Sequence, residues 1–248
     1  MKSQAAALCW IEAWQLLRAM ILDRLRQAVF PPVCLVCGQT GRPLIDCCAG
    51  CESDLPSLPG QCDRCGLELN RSVALCGRCS MALPAFDSTW PGFAYRDEIE
   101  RLVQRFKFRG DLAAGRLLAN LLALRLSKLR APRPDLLIPV PLHRRRLLTR
   151  GFNQAALLAH DLSAVMSGLP WFNALRRVRN TATQIQLPAD GRAANVRGAF
   201  RVARLPGRPR FVALVDDVMT TGSTLNECAR VLRASGVERI DVWVAARA

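Results

Sequence analysis

The stretch VALVDDVMTTGST, residues 212–224, decides the predicted fold. Its first four residues are apolar and typical of a buried strand, and the acids Asp216 and Asp217 follow. Ligands of an open α/β sheet bind at this end of a strand. We therefore expect an α/β fold with a ligand site at the acids and at the turn that opens the next helix, which contains Thr220, Thr221, Gly222, Ser223 and Thr224.

The composition of this turn predicts the kind of ligand. Backbone N–H groups of residues 220–224 would lie at the positive end of a helix dipole and can bind a phosphate, and Gly222 lets the chain approach closely. Two carboxylates beside a phosphate are explained if Asp216 and Asp217 bind sugar hydroxyls or lie near a divalent cation. We expect a sugar phosphate with Mg²⁺. A plain helix cap would need only one such residue, and the chain contains no Walker A sequence.

Strands and helices alternate through the rest of the C-terminal part, which predicts a mostly parallel sheet with flanking helices. Apolar runs typical of buried strands occupy residues 136–140, 211–215 and 240–245. A basic loop is predicted after the first run. Helical spacing occurs at Ile99, Leu102, Val103 and Phe106, and in residues 112–129, 154–166 and 225–235, the last helix ending at Gly236.

Cysteines near the N-terminus form two copies of one pattern. Four C-x-x-C pairs are present, and the last two repeat the first two at a constant offset of 28 residues. Two such pairs close a tetrahedral Cys₄ site of the kind that holds structural zinc, so we expect two zinc ions. Crossed pairing between the copies, iron–sulfur ligation and redox dithiols are the alternatives. In the simplest pairing, one ion is bound by Cys34, Cys37, Cys48 and Cys51 and the other by Cys62, Cys65, Cys76 and Cys79.

The remaining cysteines have simpler interpretations. Cys47 is a spare thiol beside the first site, and Cys9 and Cys228 are buried packing residues. The composition changes after the last cysteine pair, which predicts three parts. These are an amphipathic helix in residues 1–30, a double zinc ribbon in residues 31–85 and the α/β domain in residues 86–248.

The charge of the 248-residue chain is +15, and nearly all of its basic residues are arginine. The planar guanidinium of arginine suits phosphate binding, which indicates a polyanionic partner, although a biased base composition with a solvated basic surface explains the same count. No apolar run reaches the roughly 20 residues that span a bilayer. The first 30 residues lack the pattern of an export signal, so we expect a cytoplasmic protein without a membrane span.

Several segments together resemble a known family. Residues 212–224 resemble the phosphoribosyl pyrophosphate (PRPP) motif of type I phosphoribosyltransferases. With IPVPLHRRRLLTRGFNQAALLA (138–159), FKFRGD (106–111), RNTATQIQLPADGRAANVRGAF (179–200) and the cysteine pattern, the chain from Cys34 onward is similar to the competence protein ComF / GntX family. The resemblance implies a type I phosphoribosyltransferase-like α/β domain in which residues 179–200 form a hood over the acceptor site.

The resemblance also implies roles for individual residues. Asp216 and Asp217 would be the catalytic acids, binding ribose hydroxyls or Mg²⁺, and residues 220–224 would hold the 5′-phosphate. Cations would stabilise the charge that develops on the leaving pyrophosphate, with a solvated basic loop as the alternative. The PRPP-binding cations would be Arg144, Arg145, Arg146, Arg150 and Lys107.

Three functions are consistent with this resemblance. The first is transfer of a phosphoribosyl group from PRPP to an unnamed acceptor. The second is the handling of single-stranded DNA during DNA uptake in natural transformation, together with DNA-uptake or recombination proteins. The third is PRPP sensing without turnover. Aromatic residues that could stack on bases are few, the candidates being Phe106, Phe108, Phe152 and Trp171.

Overall fold

The structure is a computed structural model that describes residues 31–43, 45–179 and 195–248. The predicted N-terminal helix, with Cys9, and residues 180–194 of the predicted hood lie outside the described residues. The chain divides into two compact units between Asp54 and Leu55. No helix in the described ranges is long and apolar enough to cross a membrane.

The first unit contains the first four paired cysteines. Its described helix, α1, spans Ala49–Asp54 and therefore begins inside the second C-x-x-C pair. Isolated bridges join Val33 to Thr40 and Arg42 to Ile45.

The second unit contains the other four paired cysteines and the α/β sheet. Two short strands and a helix surround these cysteines: β1 (Gly60–Gln61), β2 (Glu68–Leu69) and α2 (Gly77–Met81). The remaining elements follow in the order β3 (Ser88–Ala94), α3 (Asp97–Arg109), α4 (Leu112–Lys128), β4 (Leu136–Pro139), α5 (Arg144–Arg150), α6 (Gln154–Val165), β5 (Leu175–Arg177), β6 (Phe200–Val202), β7 (Phe211–Met219), α7 (Ser223–Ala234) and β8 (Arg239–Arg247).

Four of these strands form a parallel sheet in the order β3-β8-β7-β4. Helix α4 packs on β3 and β8, α6 packs on β4 and β7, and α7 packs against β6, β7 and β8. Strands β5 and β6 form a separate antiparallel pair on either side of the predicted hood. This parallel sheet with flanking helices, preceded by the cysteine-rich region, confirms the predicted fold class.

The register of the sheet places two loops side by side. Pro139, the final residue of β4, lies opposite Val215 of β7, and Asp216 comes next along β7. Because carboxyl ends of parallel strands lie at the same edge of a sheet, the chain after β4 leaves the sheet beside the acid pair. This arrangement brings α5, with its arginines, to the same edge.

Most predicted helices and strands are present with similar bounds, and the four residues at helical spacing in α3 are all buried. The differences from the sequence analysis include three at the parallel sheet and its edge. β7 continues through the acid pair to Met219, because its backbone keeps pairing with β8 as far as Arg247. The predicted basic loop contains the short helix α5. Strand β3 was not predicted, because Pro91 and Gly92 interrupt its pattern; an edge strand tolerates proline.

Candidate functional site

Each set of four paired cysteines forms one cluster, which agrees with the simplest pairing and not with crossed pairing. In both clusters all four sulfur atoms lie within 4.8 Å of one another. The Sγ atoms of Cys37 and Cys48 are 3.8 Å apart, as are those of Cys65 and Cys76. Zinc with Zn–S bonds of about 2.3 Å and tetrahedral angles places its sulfur ligands ~3.8 Å apart. The two clusters therefore fit structural zinc.

Backbone N–H groups favour the thiolate form that binds metal. The N–H of Cys51 donates to Sγ of Cys48 at 3.4 Å, and the N–H of Cys76 donates to Sγ of Cys62 at 3.2 Å. Burial acts to raise the pKa of the Cys34 thiol, but N–H donors, including that of Cys48, outweigh it and lower this pKa below its usual value. A lowered thiol pKa favours metal binding near neutral pH.

Two further cysteines of the described residues lie outside the clusters. Cys47 is fully buried and belongs to neither four-sulfur group. Cys228 is also fully buried, on α7 within the hydrophobic core, so its predicted packing role is confirmed.

The acid pair lies in a cavity of about 630 Å³ at the carboxyl edge of the sheet. We call it the acid-pair cavity. Besides apolar residues, its lining contains Tyr95, Gln104, Lys107, Arg146, Arg150, Asn153, Gln154, Arg177, Asp216, Asp217, Thr220 and Thr224. Seven of the predicted ligand-binding residues thus meet here: both acids, three of the five predicted cations and two residues of the turn.

Asp217 is 5 % exposed and has a cation beside it. Its Oδ2 atom lies 2.8 Å from Nζ of Lys107, and its Oδ1 accepts the N–H of Val218 at 2.7 Å. Burial acts to lower the pKa of Lys107, but the Asp217 carboxylate outweighs it and raises this pKa above its usual value. Lys107 is therefore held as a cation facing the acid pair.

Asp216 is half-buried beside Asp217. Burial and, secondly, the charge of Asp217 raise its pKa well above the usual value, although Lys107 acts in the opposite direction. The raised pKa favours the protonated, neutral form of Asp216 near neutral pH, so Lys107 balances the charge of Asp217. Mg²⁺ in proteins takes carboxylate oxygens and keeps several waters. The oxygen atoms of the two acids therefore fit a divalent cation that displaces the proton of Asp216 as it binds with an anionic ligand.

The arginines of α5 separate into two groups. Arg146 and Arg150 are one helical turn apart, which places them on the same helix face, and both line the acid-pair cavity. Arg144 and Arg145 are exposed and are not part of the lining. Burial lowers the pKa of Arg150, whose guanidinium carbon lies 5.7 Å from the centre of the Phe108 ring. A helix, rather than the predicted loop, explains this separation.

The turn after β7 is also divided between two sides. Thr220 and Thr224 line the acid-pair cavity, whereas Thr221, Gly222 and Ser223 line a second cavity of about 790 Å³ beside Cys65 and Cys79. Gly222 has a left-handed φ of 78° just before α7 begins. An added Cβ there would lie 2.5 Å from Cε of Met219, so both the backbone and the packing require glycine.

Sequence reasoning did not identify five polar residues of the cavity as ligand-binding candidates. These are Tyr95, Gln104, Asn153, Gln154 and Arg177. Gln154 is 2 % exposed and its Nε2 has no hydrogen-bond partner among the described residues. The sequence RGFNQ (150–154) could have pointed to Gln154. Asn153 caps α6 and donates to the carbonyl of Val140, and these contacts place the next residue, Gln154, beside β4.

Two Cys₄ clusters and a parallel sheet with an acid pair at its carboxyl edge define a protein with a paired cysteine metal-site region and an α/β domain. A family described as a double zinc ribbon domain matches residues 25–80. Competence protein F of Haemophilus influenzae is 41% identical over 207 residues, covering 81% of this chain and 90% of that protein. The chain belongs to the competence protein F (ComF) family, as the sequence resemblance predicts.

A further relative and one solved structure also align with parts of the chain. The DNA utilization protein YhgH of Salmonella typhi is 35% identical over 205 residues, covering 81% of this chain and 89% of that protein. Among solved structures, a purine phosphoribosyltransferase from Pyrococcus horikoshii aligns with a TM-score of 0.31 at 19% identity, covering 50% of this chain and 66% of that one.

Proposed function

We propose that this protein binds PRPP, or a closely related sugar phosphate, together with Mg²⁺ in the acid-pair cavity, and that it acts in DNA uptake. One observation carries the ligand assignment. A single cavity is lined by Asp216, Asp217, Lys107, Arg146 and Arg150 together with Thr220 and Thr224, which belong to the turn at residues 220–224 that we call the phosphate turn. PRPP carries vicinal hydroxyls, a monophosphate and a pyrophosphate, and each of these groups has a chemically suitable counterpart in that lining.

The residues would divide the ligand between them. The carboxylates would accept hydrogen bonds from the ribose hydroxyls or coordinate Mg²⁺, and Thr220 and Thr224 would face the 5′-phosphate. Arg146 and Arg150 would face the pyrophosphate, because guanidinium groups form bidentate bonds with phosphate oxygens. When bound, Mg²⁺ would neutralise charge on a departing pyrophosphate.

Binding of PRPP does not by itself require transfer of its phosphoribosyl group. The described lining contains no histidine or cysteine, so a chemical step would depend on an acceptor that supplies its own attacking atom. The positively charged residues of the cavity would then stabilise the leaving group. A protein that binds PRPP and releases no pyrophosphate with any acceptor would be a ligand sensor.

The role in DNA uptake rests on the relatives. The names competence protein F and DNA utilization protein connect those proteins with DNA, and the charge of +15 favours a polyanionic partner. We propose that exposed arginines contact single-stranded DNA while the acid-pair cavity holds the smaller ligand.

Calorimetric titration of PRPP tests the ligand assignment. Wild-type protein should bind PRPP with Mg²⁺ and much more weakly without it. Asp217→Asn and Arg150→Ala should each weaken binding by about tenfold or more, because each removes a charge-assisted contact. Arg144→Ala, an exposed arginine of the same helix, is the matched control and should bind like wild type. Absence of Mg²⁺-dependent binding in the wild-type protein would reject the assignment.

A further inference from the structure

The two cysteine repeats differ in the residues between their paired cysteines. The repeats align at an offset of 28 residues, so Arg64 and Arg78 of the second copy correspond to Val36 and Gly50 of the first. Val36 and Gly50 have no side-chain hydrogen-bond donor. Both C-x-x-C turns of the second copy therefore carry a guanidinium that the first copy lacks.

Both guanidinium groups of the second copy donate to backbone carbonyls of the α/β region. Nη2 of Arg78 donates to the carbonyl of Thr221, inside the phosphate turn, at 3.0 Å. Arg64 donates to the carbonyls of Asp87 and Pro84 at 2.9 and 3.1 Å, where the chain enters β3. The second cysteine cluster is thus attached to the segment before the sheet and to the turn after β7.

A third arginine joins the same two places from inside the domain. Arg247 of β8 is 4 % exposed. Its Nε donates to the carbonyl of Cys65, and its Nη1 donates to the carbonyl of Met219, at 3.0 and 3.1 Å. One buried side chain therefore connects a cysteine of the second cluster with the residue that precedes Thr220.

These contacts fix the direction of backbone N–H groups in the phosphate turn. A trans peptide unit is planar, with its C=O and N–H on opposite sides. Holding the carbonyls of Met219 and Thr221 thus sets the orientation of the N–H groups of Thr220 and Gly222. Gly222 adopts φ of 78° and has no Cβ to limit its rotation, so contacts from outside the turn add to the Thr221–Ser223 hydroxyl hydrogen bond in fixing one conformation.

We propose that the second cysteine cluster positions the phosphate turn. In this arrangement, metal bound by Cys62, Cys65, Cys76 and Cys79 fixes Arg78 and the Cys65 carbonyl, and these hold residues 219–222 in the conformation that receives a phosphate. Loss of metal from this cluster lowers affinity for PRPP, whereas loss from the first cluster does not. The PRPP part of this inference rests on the proposed function.

The test uses the full chain loaded with zinc. Arg78→Ala should retain two zinc ions per chain and bind PRPP with Mg²⁺ about tenfold more weakly, since it removes a hydrogen bond from a charged donor. Arg78→Lys, which keeps a donor, should recover part of the affinity. Cys51→Ser and Cys79→Ser are a matched pair through the repeat. Each should lower the zinc content by one ion, and only Cys79→Ser should weaken PRPP binding.

Hydrogen exchange separates failure of this inference from failure of the proposed function. If wild-type protein does not bind PRPP, the ligand assignment fails, and the positioning role is tested by the exchange rates of the amides of residues 220–226. These amides should exchange about tenfold faster in Arg78→Ala and in Cys79→Ser than in wild type, and at the wild-type rate in Cys51→Ser. Unchanged exchange in Arg78→Ala, or equal effects of the two cysteine variants, would overturn the inference.

Discussion

Nζ of Lys107 lies 2.8 Å from Oδ2 of Asp217, so an ammonium group occupies the position of a counter-ion at the acid pair. A divalent cation arriving alone must compete with this ammonium group. A cation arriving with a pyrophosphate brings oxygen atoms that can bind Lys107 instead. The contact therefore favours joint binding of the cation and its anionic ligand.

Replacing Lys107 should reverse this preference. In Lys107→Met, affinity for Mn²⁺ alone should rise, because the acids lose their internal partner. Affinity for PRPP with Mg²⁺ should fall about tenfold, the usual size of a lost charge-assisted contact. Calorimetry with each ligand measures both changes. Arg109→Met is the control, since Arg109 is exposed on the same helix and outside the cavity lining. If the affinities for Mn²⁺ and for PRPP with Mg²⁺ both rose or both fell, competition between Lys107 and the metal ion would be contradicted.

Gly222→Ala should destabilise the phosphate turn. The substitution places a Cβ on a left-handed residue and 2.5 Å from Met219, and the backbone conformation alone costs about 1–2 kcal/mol. Urea unfolding should show a loss of this size, and PRPP affinity should fall with it. Gly77→Ala is the control, because a Cβ at Gly77 meets no atom within 4 Å. If Gly222→Ala left the free energy of unfolding and the PRPP affinity unchanged, the turn would have to tolerate another conformation.

Removal of zinc should lower the thermal stability of the whole second unit. All four cysteines of the second cluster belong to the same buried hydrophobic cluster as Ile138 and Leu214 of the sheet. Structural metal binding contributes to folding free energy directly, and we expect a chelator to lower the unfolding midpoint by roughly 10 °C. Calorimetric scans should show recovery on adding Zn²⁺ and none on adding Mg²⁺. An unchanged midpoint after complete zinc loss would refute this expectation.

Binding of single-stranded DNA should depend on salt and on the exposed arginines of α5. The logarithm of the binding constant falls against the logarithm of salt concentration by roughly 0.7 for each neutralised phosphate. The double variant Arg144→Ala/Arg145→Ala should therefore lower the steepness of that dependence by about 1.4. Fluorescence anisotropy of a labelled oligonucleotide over a salt series measures it. Binding that is insensitive to salt would count against the DNA contact.

Asp111 should make folding stability depend on pH. It caps α4 by accepting the N–H of Ala114 at 3.0 Å and pairs with Arg105 at 2.7 Å. Burial acts to raise the pKa of Asp111, but these contacts outweigh it and lower this pKa below its usual 3.8. A lowered native pKa contributes stability that is present above the unfolded pKa and is lost as pH falls through the folded pKa.

The corresponding variant is Asp111→Asn. It keeps a side-chain oxygen that can cap α4 but removes the charge that pairs with Arg105, so it should cost up to about 1 kcal/mol near neutral pH. The difference from wild type should begin to shrink as the pH falls below about 3.8, the usual pKa, and should vanish below the lowered pKa of the folded protein, where the native carboxylate also becomes protonated. Urea unfolding at several pH values measures the difference. If the loss of unfolding free energy stayed constant with pH, it would arise from the shape of the side chain and not from its charge.

Local patterns in the sequence predicted which residues meet in the cavity better than the bounds of the elements around it. The acid pair and the phosphate turn were identified from their residue types and Lys107 from the family resemblance, and the structure brings both acids, Lys107 and part of the turn into one cavity. The division between Arg146 and Arg145 was not predicted, since it depends on α5 being a helix. In a segment interpreted as a loop, no periodicity separates Arg145 from Arg146.

Long-range contacts account for most of what the sequence analysis missed. Tyr95 and Arg177 line the cavity although each lies more than 30 residues from either acid in the sequence. Sequence periodicity does not predict contacts over such separations. Arg247 was overlooked because an arginine in a strand is ordinarily exposed. The carbonyls it contacts belong to Cys65 and Met219, which only the folded chain places together.

The strand order has a consequence for how the nascent protein folds. Strand β3 pairs only with β8 in the described sheet, and β8 follows β4 and β7 along the chain. A ribosome must therefore translate through Arg247 before β3 gains its neighbour. Until then the backbone N–H and C=O groups of β3 have no partner strand, and such unpaired strand edges are prone to aggregation during synthesis.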